Sequence, residues 1–376
     1  MKLLSLNFLS CEWANFFFLI DNLAFPIDSM HEDYNHGWVD KFGQLSESEK
    51  DALERYKILK RSVWDKGGRE LLDRFEASFY QSSESDSPEG ADLGEILTKE
   101  QLQEIGTIFE SFKDRFQSMW VDYRPILADN QALLQREVSS VRVVFNESFS
   151  AIGKLYGSDN FSEQVEIYLM MRPDPGFRGG RMVSQKPPKI MVESGVFDPQ
   201  DKEQMSHLWL LLLHELTHAC FESDEFFEFL DKYLAKKPPL AHFLEKFPAT
   251  KTPIAATRRA MGEMIINSVE YSSYVRGKFE HGYTGGPKDG EVILEEFRDY
   301  FKRKSIKDIK EKRSTLLIGG GNTYQYIAWK LEEVVRHYLE NGKGMDEKFL
   351  DGVYKVLEEF PNNLLKDLEA SKTKKG

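Results

Sequence analysis

Apolar side chains return every three or four residues along most of this chain, which is the spacing of helices with one buried face. A capping box formed by Ser46 and Glu49 opens one such stretch. A second box, at Thr98 and Gln101, opens a much longer one. We expect this longer helical region to break near Pro125, because proline removes a hydrogen bond from the helix, and again around Asp129-Asn130.

The pattern changes to that of short strands in the middle of the chain. Residues 165–171 and 189–193 are predicted strands, and residues 176–183 combine a glycine-rich turn with a third short strand. A strongly apolar run at 205–213 follows, behind a helix-capping Asp198 and a proline, and it predicts a buried helix. A small sheet should therefore directly precede a central helix.

Helices return after the central one. Ser223 and Asp224 are good capping residues for a short aromatic and acidic helix. Thr252 followed by Pro253 opens a long helix at about 255–279, and further helices follow. The chain is therefore expected to be an α+β protein that is predominantly α-helical, with a small sheet before the central helix.

Composition divides the chain into regions, because a stretch rich in Ser, Asp, Glu, Gly and Pro follows the first helices. We expect an N-terminal segment of uncertain order at 1–45, then a helical region and linker at 46–97. A larger domain should occupy 98–376. Within it, 98–222 should hold the sheet and the central helix, and 223–376 should form a helical lobe.

The net charge of the chain argues against two classes of binding partner. Its 376 residues include 62 acidic and 50 basic side chains, which gives a formal net charge of −12 at pH 7. Nucleic acids and anionic membranes are bound through positive patches, so neither is expected as the main partner.

The cysteine content and the N-terminal sequence give information on the cellular compartment of the protein. Cys11 and Cys220 are the only cysteines, so the sequence offers neither a disulfide framework nor a cysteine zinc site, and a cytoplasmic location is expected. Glu12 and Asp21 interrupt the apolar N-terminal runs, so neither a signal peptide nor a membrane span fits well. A short lipoprotein-like box ending at Cys11 leaves export or lipid anchoring open. A start at Met30, with the first 29 residues outside the native product, is a separate alternative.

The central helix carries the chemistry that the sequence indicates most specifically. It contains His214-Glu215-Leu216-Thr217-His218, an HExxH pattern. Histidines four residues apart project from one face of a helix, so both can bind a single Zn²⁺. A glutamate beside the first histidine is placed to deprotonate a water on that metal.

A catalytic zinc site needs a third protein ligand, which must come from further along the chain. Asp224 stands where a metzincin has its third ligand, but that arrangement needs a glycine where this chain has Phe221. The long helix at 255–279 offers Glu263 and Glu270, seven residues apart and thus on the same face. Helical spacing alone does not separate these two carboxylates.

The six residues from Glu270 to Val275, EYSSYV in one-letter code, resemble the glutamate helix of the gluzincin metallopeptidases. The resemblance implies a zincin-like fold in which Glu270 is the third ligand. Glu263 or Asn267 would then orient a histidine, and Glu263 as the ligand is the alternative. In gluzincins the strand before the HExxH helix is the edge that holds extended peptide, and the resemblance gives this role to 189–193. An ordinary sheet strand is the alternative there.

The group that stabilises the oxyanion has two candidate positions. His281 and Tyr283 lie on a loop after the glutamate helix, and Tyr324 and Tyr326 follow the triple glycine at 319–321. The second arrangement resembles that of gluzincin-like peptidases, in which a glycine-rich bend carries tyrosines. Tyr324 is preferred to Tyr326 because it lies closer to the bend.

The sequence therefore predicts a zinc-dependent peptidase that acts on a peptide or protein substrate, with Zn²⁺ on His214, His218 and Glu270. A ferritin-like di-iron protein is one rival, but it needs a second Glu-x-x-His, which the sequence lacks. A catalytically inactive, zincin-shaped binding or scaffold protein is the other rival. The sequence leaves open the cleavage specificity, endo- or exopeptidase action, and the oligomeric state.

Overall fold

The chain is predominantly helical and contains one four-stranded mixed sheet, as a computed structural model shows. The structure describes residues 4–25, 32–80, 93–158, 164–185, 187–198, 200–243, 250, 252–279, 292–295, 297 and 321–373. Among these residues, no helix is long and apolar enough to cross a membrane.

The elements follow one another in a simple order. They are β1 (Ser5–Leu9), α1 (Glu12–Ala24), α2 (Glu32–Phe42), α3 (Glu47–Ala77), α4 (Leu93–Ile96), α5 (Lys99–Leu155), β2 (Gln164–Met171), β3 (Phe177–Gln185), β4 (Pro188–Ser194), α6 (Lys202–Phe221), α7 (Asp224–Leu234), a 3₁₀ turn (Ala241–Phe243), α8 (Pro253–Glu270), α9 (Ser273–Phe279), α10 (Gly321–Glu340) and α11 (Glu347–Thr373).

These elements form two compact units. The first comprises Met1–Arg142 and Ser162–Cys220, and the second comprises Val143–Phe161 and Phe221–Gly376. The sheet and most of the HExxH helix α6 belong to the first unit, and helices α7 to α11 belong to the second.

The sheet of the first unit has the strand order β1-β2-β4-β3. β1 and β4 both run parallel to β2, while β3 runs antiparallel to β4. Helices cover both faces. Phe8 packs edge-on against Trp209 of α6 on one face, and Tyr168 packs against Tyr80, just after α3, on the other. The sheet is therefore the middle layer of this unit.

Side-chain amides satisfy the polar groups at the β1 side of the sheet. Beyond the end of β1, the Asn15 amide donates to the Leu169 carbonyl and accepts from the Met171 backbone N–H, as a further strand would. Gln135 of α5 makes long hydrogen bonds to the backbone of β1, accepting from Phe8 and donating to Leu6. Unpaired edge groups are thereby reduced on this side.

A buried cluster of charges ties β3 to the helices on one face. Arg181 of β3 makes ion pairs with Asp21 of α1 and Glu76 of α3, and Lys60 bridges the same two carboxylates at 2.5 and 2.9 Å. Burial alone would raise the pKa of Asp21, but Lys60 and Arg181 hold it below its usual value. Two cations balance two carboxylates, so the buried charges are paired.

The second unit is built around α8, which packs against α10, α11 and the 3₁₀ turn. Thr252 caps α8 with its side chain, and a proline occupies the first turn, as the sequence predicts. Glu332 of α10 accepts hydrogen bonds from the backbone N–H and the hydroxyl of Ser273, at the start of α9. These contacts fix the position of α8 among its neighbours.

Several predicted boundaries are confirmed and two helix predictions are corrected. The Ser46 capping box opens α3, and Ser223 caps α7. The breaks expected at Pro125 and around Asp129-Asn130 are wrong, since α5 is one helix of 57 residues that contains both positions. One lost hydrogen bond is small beside the packing of so long a helix. The helix expected at 255–279 is two helices, α8 and α9, with a turn at residues 271–272.

The peptide-holding edge expected at 189–193 is also corrected. β4 contains these residues, but it pairs with β2 on one side and β3 on the other. Its backbone groups are therefore already used by two neighbours, and β3 is the terminal strand on this side of the sheet. The alternative, that residues 189–193 form an ordinary sheet strand, is confirmed.

Candidate metal centre

Two histidines on α6 bring their ring nitrogens together. His214 and His218 are one helical turn apart, and their Nε2 atoms are 3.3 Å from each other. Both rings are only partly buried. Apolar neighbours on the same helix, among them Leu213 and Leu216, are buried and hold it in place. The helix thus presents the two imidazoles as a preformed pair.

The separation of this pair suits a zinc ion. Nitrogen ligands of tetrahedral zinc lie about 2.0–2.1 Å from the metal, which places two such nitrogens about 3.3 Å apart. The observed separation of the two Nε2 atoms is 3.3 Å. Neutral imidazole nitrogens are also the donors that zinc favours. The donor type and the spacing therefore both fit.

Glu215 lies between the two histidines in sequence and is 7% exposed. It faces strand β3, because a Cβ atom built on Gly180 would lie 2.5 Å from its Cγ and 2.9 Å from its Oε1. Gln185, at the end of the same strand, donates to the His218 carbonyl. The HExxH segment is thus flanked by β3.

Both candidates for the third ligand lie on α8, in the second unit. Glu270 is the buried last residue of α8. Glu263 lies seven residues earlier, about 10 Å away along the helix. The assignment of Glu270 as the ligand, with Glu263 as the alternative, stays a prediction.

The surroundings of Glu263 lie in the second unit. Burial and the negative charge of Glu263 raise the pKa of Tyr324, on α10. Burial, Glu222 and Glu263 likewise raise the pKa of Tyr156, at the end of α5. Both phenols are therefore neutral at pH 7 and keep a proton to donate. Arg259 lies one turn before Glu263, and its NH2 is 3.4 Å from the carboxylate.

The two tyrosines considered for oxyanion stabilisation have different environments. Tyr326 is fully buried against Phe297 and Phe360, and its hydroxyl donates to Asp367 at 2.8 Å. Tyr324 is half-buried and lies near Glu263. The hydroxyl of Tyr326 is therefore already used in a hydrogen bond to Asp367. His281 and Tyr283 lie outside the described residues.

The remaining candidate ligands lie in ordinary structural positions. Asp224 is the exposed first residue of α7. Asn267, expected to orient a histidine, donates its amide to the Glu263 carbonyl one turn earlier at 2.6 Å.

Three residues beside candidate site residues were not predicted from the sequence: Gly180, which lies against Glu215, and Tyr156 and Glu222 in the neighbourhood of Glu263. A glycine inside a predicted strand is a known sign of close backbone approach, and this sign was available at Gly180. No local pattern marks Tyr156 or Glu222, because their relation to Glu263 arises only when α5 and α8 come together.

Comparisons with protein-family models, with curated proteins and with solved structures find no match to this chain.

Proposed function

We propose that this protein is a zinc-dependent peptidase with His214, His218 and Glu270 as the ligands, Glu263 being the alternative to Glu270, and Glu215 as the general base. The observation that carries the proposal is the pair of Nε2 atoms 3.3 Å apart, on the same helix turn as a buried glutamate. Two histidines and one carboxylate are a known ligand set of catalytic zinc, which keeps its fourth position for water or substrate.

Each residue would have a defined task in hydrolysis. A bound zinc ion supplies a Lewis acid, which polarises the scissile carbonyl and acidifies a water molecule. The Glu215 carboxylate would take a proton from the attacking water and pass it to the leaving amine. Tyr324 would donate a hydrogen bond to the carbonyl oxygen as negative charge develops on it.

Strand β3 is the element that we assign to substrate binding. It is the terminal strand of the sheet order, and its Gly180 lies directly against Glu215. An extended peptide added to a sheet edge is held by main-chain hydrogen bonds, so many sequences can bind. This assignment moves the peptide-holding role from β4 to β3.

Metal analysis of the purified protein tests the proposal. We expect about one zinc per chain, and loss of most of that metal in His214→Ala and in His218→Ala, because two remaining ligands hold zinc poorly. His207→Ala is the matched control, since His207 is an exposed residue of the same helix. A direct hydrogen bond between two metal-free imidazoles also fits 3.3 Å, so wild-type protein that binds no zinc would refute the proposal.

Replacing Tyr324 with phenylalanine tests the oxyanion donor. We expect kcat to fall by about 10² to 10³-fold with zinc retained, as is typical when one such donor is removed. Tyr326→Phe is the matched comparison. It should keep kcat and lower stability by about 0.5–1.5 kcal/mol, because it removes the hydrogen bond to Asp367, a half-buried carboxylate that keeps its ion pair with Lys330. Full activity in Tyr324→Phe would move the role to His281 or Tyr283, or leave it to the metal.

The inactive scaffold is the competing function, and substrate hydrolysis separates the two. A protein that binds one zinc but hydrolyses no member of a mixed peptide library would be a zinc-containing binding protein. Iron in a two-to-one ratio to the chain would instead indicate the di-iron class.

A further inference from the structure

Gly180 has no conformational reason to be glycine. Its neighbour Gly179 has a φ of +56°, in the left-handed region that favours glycine. Gly180 lies outside that region and pairs with Val192 of β4, directly after a register shift in the ladder. An alanine or a larger residue would suit its backbone. The absence of a side chain at this position therefore calls for another explanation.

The explanation is that the Glu215 side chain leaves no space for a side chain at position 180. A Cβ atom on Gly180 would lie 2.5 Å from Cγ, 2.9 Å from Oε1 and 3.0 Å from Cδ of Glu215. All three of these atoms belong to one side chain, and they lie well inside normal van der Waals distance. A methyl group on Gly180 would thus occupy the volume that the Glu215 side chain now fills.

The strand cannot easily yield instead of the side chain. Arg181, the next residue, is anchored by Asp21 and Glu76 on the opposite face of the sheet. Val192 and Met191 of β4 pair with Gly180 and Arg181. Rotation of Glu215 about its side-chain bonds is the cheaper response, because it breaks neither the ion pairs nor the ladder. Restoring normal contact distances requires the carboxylate to move by about 1 Å.

We propose that Gly180 is a positioning residue, whose bare Cα surface sets where the Glu215 carboxylate lies, with the Arg181 anchor keeping the strand in place. Its catalytic consequence rests on the proposed peptidase function, but the contact itself does not. Gly180 would thus tune the general base without touching the metal.

Gly180→Ala tests this proposal in the full-length protein. We expect zinc content to stay at the wild-type level and kcat to fall by about 10 to 100-fold, since a misplacement near 1 Å has an effect of that size. KM should change by less than about threefold, because the methyl group lies on the Glu215 side of the strand. Gly106→Ala is the matched control, as a Cβ there meets nothing within 4 Å. An unchanged kcat in Gly180→Ala would overturn the inference.

A double-mutant cycle on the metal-free protein gives a second readout that is independent of turnover. Gly180→Ala should lower the urea midpoint of unfolding when Glu215 is present and leave it unchanged in a Glu215→Ala background. Equal lowering in both backgrounds would refute the contact. If Gly180→Ala alone fails to fold, the double variant should still fold, and its failure to do so would equally refute the proposal.

The two proposals fail in different ways. Full turnover in Glu215→Gln would refute the peptidase mechanism, while the unfolding cycle would still decide whether Gly180 positions Glu215. Conversely, an inactive Glu215→Gln beside a fully active Gly180→Ala would leave the mechanism intact and refute the positioning role.

Discussion

Glu215→Gln should leave zinc bound and lower peptide hydrolysis by at least about 10² to 10⁴-fold, the usual contribution of a positioned general base. Glutamine has nearly the same shape as glutamate, so the packing of this buried side chain against Gly180 is retained. Its amide cannot accept the proton of the attacking water. Zinc content and kcat, measured on the same preparation, check both parts of the expectation.

The control for this variant is Glu228→Gln, an exposed glutamate of α7 whose partner Lys232 is equally exposed. It should match the wild type in zinc content and turnover, because an exposed pair contributes little. Peptidase turnover retained by Glu215→Gln would remove the central mechanistic claim. Loss of zinc from that variant would instead show that Glu215 supports the ligands themselves.

Glu270→Ala should empty the metal site, whereas Glu263→Ala should retain most of the zinc. Losing one of three ligands leaves two histidines, which bind zinc poorly, while a residue outside the ligand set affects affinity by about 10 to 100-fold at most. Titration with a zinc chelator of known affinity measures the difference directly. The expectation follows from the resemblance of residues 270–275 to the glutamate helix of the gluzincins.

The opposite ranking of these two variants would move the assignment of the third ligand to Glu263. Asp224→Ala serves as a further comparison, because Asp224 is an exposed residue of α7. It should leave metal content unchanged. Loss of zinc in that variant would return the site to the metzincin arrangement.

The sequence predicted the starts of several helices correctly, because a helix start depends on capping residues within one turn of it. The capping box at Ser46, the Ser223 cap and the Thr252-Pro253 start all appear where the sequence places them. The helix break predicted at Pro125 is absent. A proline is expected to end a short helix, whereas α5 is stabilised by packing along 57 residues.

Long-range pairing could not be read from the sequence. The N-terminal strand β1 finds its partner in β2, far along the chain, and no local pattern states this. The order of β3 and β4 decides which strand lies at the side of the sheet, and periodicity is the same for either order.

In the candidate centre too, the residues that lie close together in sequence were predictable, and those that lie far apart were not. The HExxH spacing was sufficient for His214 and His218, because both lie on one helix turn. The choice between Glu263 and Glu270 depends on how distant elements meet. The commitment of Tyr326 to Asp367, which lies on α11, likewise became visible only in the folded chain.

The irregular pairing of β3 also bears on how the protein behaves at high concentration. Register shifts occur between Arg178 and Gly180 and between Met182 and Ser184, so one short regular stretch lies between two irregularities. Such a strand is a poor template for adding further copies of the same sheet, because growth of a fibril needs long, flat, in-register edges. On the other side of the sheet, Gln135 makes long hydrogen bonds to the backbone of β1. We therefore expect slow fibril growth from either side of this sheet.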